Sequence, residues 1–287
     1  MRRLAAGVFF SLMVMLPSCC TYNNIKHPEP KLTLAQHLEK KTVALDHWLG
    51  VVGHDKDDDP IIDEVDPTKV KDAELRAYCT GIWVNHDTIL TAAHCVEIHK
   101  PQLYRIIESF GLPLPEGARG WSAVGDKLQY STYDDIQDAP LKKVRTTRNC
   151  TVFAVDKEDD LAAIKVDTNQ LGDLANHEVA VIASSIQVGD DIHIMGHPGG
   201  VLWTYARGSV ARIRDAYPNA DENKVDTLQI SAPVWYGDSG GGAFDSSGHL
   251  VGVMSFINNK IPNVGFCVKF NVIERFLTHY KIKHTSR

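Results

Sequence analysis

The chain has 287 residues, 44% of them hydrophobic and 23% charged, enough for one large core or two medium ones and too apolar for a disordered polypeptide. Thirty Lys and Arg stand against 36 Asp and Glu, a formal charge of −6, so the basic excess of a nucleic-acid binder is missing and no nucleic-acid partner is expected. Six cysteines are too few to hold such a chain by disulfides alone, and 21 Gly with 13 Pro exclude a collagen-like repeat.

Arg2 and Arg3 precede an apolar run over 4–16, broken only by Gly7 and Ser11. A membrane-spanning helix needs about 20 apolar residues, whereas this run has the length of a signal-peptide core. Residues 1–19 are read as a signal peptide, and the protein as exported. Leu16-Pro17-Ser18-Cys19 resembles the lipobox of bacterial lipoproteins, which would place a lipid on Cys19 and tether the chain to a membrane. Pro17 is atypical there, and ordinary secretion with cleavage near 18–20 is the alternative. The expected location is secreted, periplasmic or lipid-anchored to a bacterial envelope. Residues 20–43 are polar, with Asn23, Asn24, Pro28 and Pro30, and read as a tether with a short helix near 34–38.

Asp55, Asp57 and Asp59 alternate as in a calcium loop, but Pro60 takes the place of the turn glycine and Asp66 that of the bidentate Glu. The stretch reads as an exposed acidic loop, and no metal or organic cofactor is expected. From about residue 78, short apolar runs alternate with turn residues, over 80–84, 88–92, 151–155, 161–166, 178–183, 191–195, 209–213 and 228–232. Asn85-His86-Asp87 and Asp245-Ser246-Ser247-Gly248 supply hairpin turns. Strands at this spacing without intervening helices predict an all-β barrel or sandwich. A helix over 272–283 closes the chain, with Asn271 and Glu274 as its capping box and Val272, Ile273, Phe276, Leu277 and Tyr280 on one face.

Gly237-Asp238-Ser239-Gly240-Gly241-Gly242 is the most specific stretch. A nucleophilic Ser needs backbone N–H groups aimed at a developing oxyanion, on a turn too tight for ordinary side chains. Upstream lie Thr91-Ala92-Ala93-His94-Cys95 and Asp159-Asp160-Leu161-Ala162-Ala163. The order His94, Asp160, Ser239 is that of chymotrypsin and differs from that of subtilisin or the α/β-hydrolases. Over about 78–282 the chain thus resembles the trypsin/chymotrypsin-like serine peptidases.

The resemblance implies an all-β, chymotrypsin-like fold of two six-stranded antiparallel β-barrels with a C-terminal helix. A peptidase domain over 44–287 would divide into barrel one at about 44–172 and barrel two at about 177–270, with the active site between them. It implies Ser239 as nucleophile, His94 as general base and Asp160 as the group orienting the imidazole. Asp160 is chosen over Asp159 because Leu161-Ala162 follows it directly, as in the family motif. The N–H groups of Gly237 and Ser239 would form the oxyanion hole, and Cys79 and Cys95 a disulfide beneath His94. Cys150 and Cys267 either pair or stay as thiols. The 66 positions between His94 and Asp160 imply an insertion over about 97–145, with Tyr104, Phe110, Trp121, Tyr130 and Tyr133; packing is preferred to substrate contact as their role. His197, in Gly196-His197-Pro198-Gly199-Gly200, is read as structural.

Pro233, six positions before Ser239, stands where trypsin-like members carry an Asp, which argues against Lys or Arg specificity. Ser255-Phe256-Ile257 resembles the strand that pairs with substrate, and Gly265 is a further substrate-binding position. Ile257 in place of the common Gly implies a shallow pocket for small or medium apolar side chains. Asp238 is expected to need a cationic partner. Val51-Val52-Gly53 resembles the new amino terminus that serves this role after activation cleavage, and an internal Arg is the alternative. The expected function is that of an exported, monomeric serine endopeptidase acting on proteins or peptides through an acyl-enzyme. The alternative is a catalytically inactive trypsin-fold binding protein of the cell envelope. No PDZ domain is expected, because the chain ends soon after its last helix.

Overall fold

The computed structural model describes residues 31–54, 74–97, 120–133, 135, 147–170, 177–218, 223–258 and 260–287. The expected signal peptide with Cys19, the acidic stretch from Asp55 to Asp66, and the insertion residues Tyr104 and Phe110 lie outside the described residues.

Six strands form the first barrel: β1 (Thr42–His54), β2 (Glu74–Asn85), β3 (Thr88–Thr91), β4 (Gly120–Thr132), β5 (Arg148–Asp156) and β6 (Leu161–Val166). They close in the order β1-β2-β3-β6-β5-β4, every pairing antiparallel. The long β1 shifts register at Gly50/Val51 as it pairs with β4, an irregularity of the kind that increases local strand twist. Apolar residues from five of these strands meet inside: Val43, Leu45, Trp83, Ile89, Tyr130 and Ile164 form a core, with Trp83 edge-on to Tyr130.

The second barrel is built from β8 (Asp191–Gly196), β9 (Thr204–Pro218), β10 (Lys224–Ser231), β11 (Gly242–Phe244), β12 (Leu250–Ile257) and β13 (Val264–Lys269). The ring β11-β8-β9-β10-β13-β12 is closed by pairing of β11 with β12, around Ile192, Ile194, Leu228, Ile230 and Met254. Two short strands, β7 (Val181–Ile182) and β14 (Thr285–Ser286), extend it in parallel beside β12. A third cluster joins the barrels: Ile82, Leu90 and Leu161 meet Phe244, Leu250, Val253 and Val268. Burying each such side chain contributes about 1.5–3 kcal/mol before conformational entropy is subtracted. Two closed six-stranded antiparallel barrels are the fold class expected from the sequence.

The terminal helix differs in detail. It is α2 (Phe270–His279), with Lys269 at its N-cap and no side-chain cap. Strand β13 runs straight into it, so Asn271 lies inside the first turn, where its amide Nδ2 donates to Asp226 Oδ2 at 3.1 Å instead of capping. Val272, Ile273, Phe276 and Leu277 are buried as expected. The polar segment before the barrels is also more than a tether. From Leu34 to Lys41 it forms α1, entered through a Thr33–Gln36 capping box. Leu38 is fully buried, and buried Lys41 donates Nζ to the carbonyl of Gly248 at 2.9 Å.

Cys79 and Cys95 form a disulfide across 16 positions. Cys150 and Cys267 are not joined to each other: Cys150 lies on β5, and fully buried Cys267 has its Sγ 3.3 Å from Met254 Sδ. Burial pushes the Cys150 thiol up to about 12 and raises that of Cys267 further, so neither is a ready thiolate. Reducing the Cys79–Cys95 bond is expected to cost roughly 3 kcal/mol, the chain-entropy value for a loop of this length. Urea unfolding with and without reductant measures it, and coincident midpoints would contradict the estimate.

Candidate active site

His94 sits on a single 3-10 turn, Ala93–Cys95, directly after β3. The disulfide ties this turn to β2, so the imidazole is carried on a fixed backbone. Asp160 ends the tight turn between β5 and β6 with φ of 53°, in the left-handed region that a non-glycine residue enters only under constraint. The neighbouring carboxylates go separate ways. Asp159 pairs with Arg275 at 2.7 Å, whereas Asp160 turns inward to His94. Both Asp160 oxygens lie 3.0 Å from His94 Nδ1, Oδ1 accepts the His94 backbone N–H at 3.1 Å, and Ser255 Oγ donates a short hydrogen bond to Oδ2. Burial raises the carboxyl pKa, but the His94 charge and the bonds from His94 and Ser255 outweigh it and hold the group below the ordinary carboxylate value. A carboxylate can only accept, so Nδ1 carries the proton and Nε2 presents a lone pair.

The turn bearing Ser239 belongs to the second barrel but is fastened to the first. Thr80 N–H donates to Ser239 O at 2.8 Å, Thr80 Oγ1 donates to Gly237 O at 2.8 Å, and Cys95 Sγ lies 3.5 Å from Ser239 O. Gly240 adopts φ of 80° and fits so closely that a Cβ there would stand 2.0 Å from Thr91 Oγ1 and 2.3 Å from Thr80 O. These contacts bring the Ser239 backbone against the segment that carries His94. Among the described residues the Ser239 hydroxyl has no hydrogen-bond partner. Nucleophile-to-base contacts are often loose before substrate binds.

Two peptide planes aim the N–H groups of this turn. All peptides of the described chain are trans, so carbonyl and N–H of one plane point in opposite directions. Tyr236 O is held by Gly199 N–H at 2.6 Å, which turns the Gly237 N–H the other way. Asp238 O is held by Gly241 N–H at 2.9 Å, with the same consequence for Ser239 N–H. Gly237 reaches its φ of 104° only because it lacks a Cβ, which would collide with His197 O at 2.3 Å.

The remaining predicted positions fall around this turn. Pro233 is exposed in the loop after β10, and Gly265 is buried on β13, opposite Ile257 at the end of β12. A Cβ on Gly265 would stand 2.9 Å from Val234 Cγ2 and 3.2 Å from Met254 Cε, so the space behind it is already filled by apolar atoms. Phe256 stacks on Phe266 at 4.5 Å, and Phe266 on Tyr217 at 5.2 Å. Ser255 points away from these rings to Asp160, a second role that its place in a substrate strand did not suggest.

Two expectations about Asp238 are corrected. No cation pairs with it among the described residues; the N–H groups of Trp235 (2.8 Å) and His197 serve instead. Val51 is no chain start but lies within β1, paired with Ala123 of β4, so cleavage before it would cut a barrel strand in two. Thr80, Gly199 and the exposed pair Trp235 and Tyr236 carry no site role in the sequence-based expectations, yet they lie at or contact this turn. Their proximity to Cys79, to the glycine pair and to Gly237 was the available signal.

Paired antiparallel barrels, with an Asp–His pair on one and a Gly-Asp-Ser-Gly turn on the other, define the chymotrypsin-like class of fold. The model of the trypsin-like peptidase domain matches residues 79–253, more than half of the chain, and the chain belongs to that family. It is 26% identical over 175 residues to Protease Do-like 1, chloroplastic, of Arabidopsis thaliana, covering 56% of this chain and 39% of that one. It is 28% identical over 195 residues to a serine protease HtrA-like of Staphylococcus aureus, covering 59% and 25% respectively. The chain thus spans well under half the length of these curated relatives. Among solved structures, the Rv3671c protease of M. tuberculosis in its active form shares the fold at a TM-score of 0.56, with 18% identity over 98% of this chain and 96% of that one.

Proposed function

We propose that the protein is an exported serine endopeptidase that hydrolyses peptide bonds through an acyl-enzyme. The single observation that carries this reading is the Asp160–His94 pair, its imidazole tautomer set by a buried carboxylate, on a segment packed against the Ser239 turn. Ser239 Oγ attacks the scissile carbonyl while His94 Nε2 takes its proton, and the resulting imidazolium faces Asp160. The tetrahedral oxyanion is received by the N–H groups of Gly237 and Ser239, each worth about 3–4 kcal/mol of barrier. His94 then returns the proton to the leaving amine, and water attacks the acyl-enzyme by the same route. Export and the substrates being proteins are supported by the apolar leader and by relatives described as proteases, one of them a probable periplasmic serine endoprotease of Pseudomonas fluorescens.

The test is stoichiometric labelling of Ser239 by an organophosphorus serine reagent together with hydrolysis of casein. A correctly folded chain that does neither is a binding protein and not an enzyme. For specificity, Val234 and Met254 crowd Gly265, and Ile257 pairs with it across the strands, which supports a preference for a small or medium apolar side chain before the scissile bond. A peptide library is expected to favour Ala or Val there by about 10-fold or more over Lys and Arg, since a charge brought beside Val234, Met254 and Ile257 would meet no carboxylate among them. Preferred cleavage after Lys or Arg would refute the assignment.

A further inference from the structure

Asp238 is buried, one residue before Ser239, in the turn whose peptide planes aim the two candidate oxyanion donors. The groups that face its carboxylate are the N–H of Trp235, the N–H of His197 and the Cα of Gly196, where a Cβ would come within 2.2 Å of Oδ1. No charged side chain among the described residues pairs with it. The one titratable side chain of the 196–200 segment, His197, is fully buried and uses Nδ1 to accept the Trp203 N–H at 2.9 Å. The same segment reaches the Ser239 turn twice more. Gly199 N–H holds Tyr236 O at 2.6 Å, and His197 O packs against Gly237. Its own backbone is stiffened by Pro198, by the single 3-10 turn Pro198–Gly200 and by His197 edge-on to Trp203 at 4.7 Å. Meanwhile the stretch that could have supplied a freed amine, Val51-Val52-Gly53, is committed to β1.

We propose that the 196–200 segment is the positioning element of the oxyanion hole, gripping Asp238 and Tyr236 so that the 237–239 turn is set in the intact chain and needs no ion pair to a newly cleaved amino terminus. The inference rests on the reading of Ser239 as nucleophile. Asp238 acts through the turn and is a positioning residue. As a carboxylate it accepts both N–H groups with charge assistance. Burial pushes it up to about 6, the two N–H bonds acting in the opposite sense. Below that value the added proton converts one acceptor oxygen into a donor, one anchor is lost, and reaction at Ser239 slows as pH falls.

The experiment labels the exported, purified chain with an organophosphorus reagent and determines the intact mass and amino terminus of the labelled species. The expected product carries the label on Ser239 and retains residues 42–50 joined to Val51. A labelled population that begins at Val51 or elsewhere within β1 would overturn the proposal. In the second arm Asp238→Asn, checked for cooperative unfolding, is expected to label about 10- to 100-fold more slowly, because its amide must face one N–H donor with another. Its acid limb is expected to lack the Asp238 ionisation, near 6, that is expected in the wild type. A wild-type rate and an unchanged pH profile in this variant would also overturn it. If the variant does not fold, the mass arm decides alone. A folded wild-type chain that takes no label refutes the reading of Ser239 itself, a result distinct from either.

Discussion

Ser239→Ala is expected to lower kcat for peptide hydrolysis by about 10⁵- to 10⁶-fold while the protein still folds and binds peptide. The hydroxyl has no hydrogen-bond partner among the described residues, so its removal breaks no contact that supports the turn. That turn is held by Thr80, Gly199, Gly241 and Met254 through backbone and hydroxyl bonds that an alanine leaves intact. Rate and stability should therefore separate cleanly. Active-site titration gives the loss, and thermal unfolding of the two proteins should coincide within about 0.5 kcal/mol, the ordinary range for a site without structural partners. A variant that still turns over peptide at the parent rate would remove Ser239 from the mechanism.

Asp160→Asn is expected to cost about 10⁴-fold in kcat with little change in KM. Two causes combine. An amide that presents Nδ2 to His94 Nδ1 makes Nδ1 an acceptor, so the proton moves to Nε2 and the base loses its lone pair. The imidazolium formed in the transition state also loses the carboxylate now 3.0 Å from it. The stability effect has a definite sign. The Asp160 carboxyl is held below its ordinary value, so its contribution is present at pH above the unfolded value and is lost as pH falls through the folded one. The stability gap between parent and variant should accordingly be open at neutral pH and close on acidification. Nitrogen chemical shifts of the His94 ring report the tautomer directly, and an unchanged Nδ1–H in the variant would contradict the assignment.

Ser255→Ala separates these contributions further. Its Oγ donates to Asp160 Oδ2 without touching His94, so its loss should lower kcat modestly, far less than the loss of the carboxylate.

Legibility in the sequence followed the range of the interaction. Strands such as β3 and β6 lay within the predicted 88–92 and 161–166 because their apolar runs reflect burial that nearly every residue shares. Strand β1 lies outside the apolar runs that predict strands. Asp46 and His47 are buried within it, and polar residues in a strand carry no hydrophobic signal until their partners are in place. The same holds for α2, whose apolar face was readable at 3.6-residue spacing while its start was not. The pull of Asp226 on Asn271 comes from 45 positions away.

At the site, Gly-Asp-Ser-Gly was legible because chemistry dictates residue type locally: tight turns need glycine, and a nucleophile needs a hydroxyl. The His94 and Asp160 motifs were legible through an order along the chain that resembles the chymotrypsin-like peptidases. Asp159 and Asp160 are neighbours of identical composition, and only the family motif separated them. In the structure one meets Arg275 on α2 and the other meets His94. Thr80 and Gly199 act through a hydroxyl and a backbone N–H, groups common to many residues, so nothing in their identity announced their task.

The sequence by itself determined an all-β architecture, because burial periodicity and turn chemistry are written in residue type, and its resemblance to the chymotrypsin-like peptidases supplied the two-barrel fold and the candidate Ser–His–Asp residues. Only the tertiary structure decided what holds Asp238, where Val51 lies and which backbone groups aim the N–H donors. Those answers depend on the directions of peptide planes and on partners distant along the chain, and packing alone sets both.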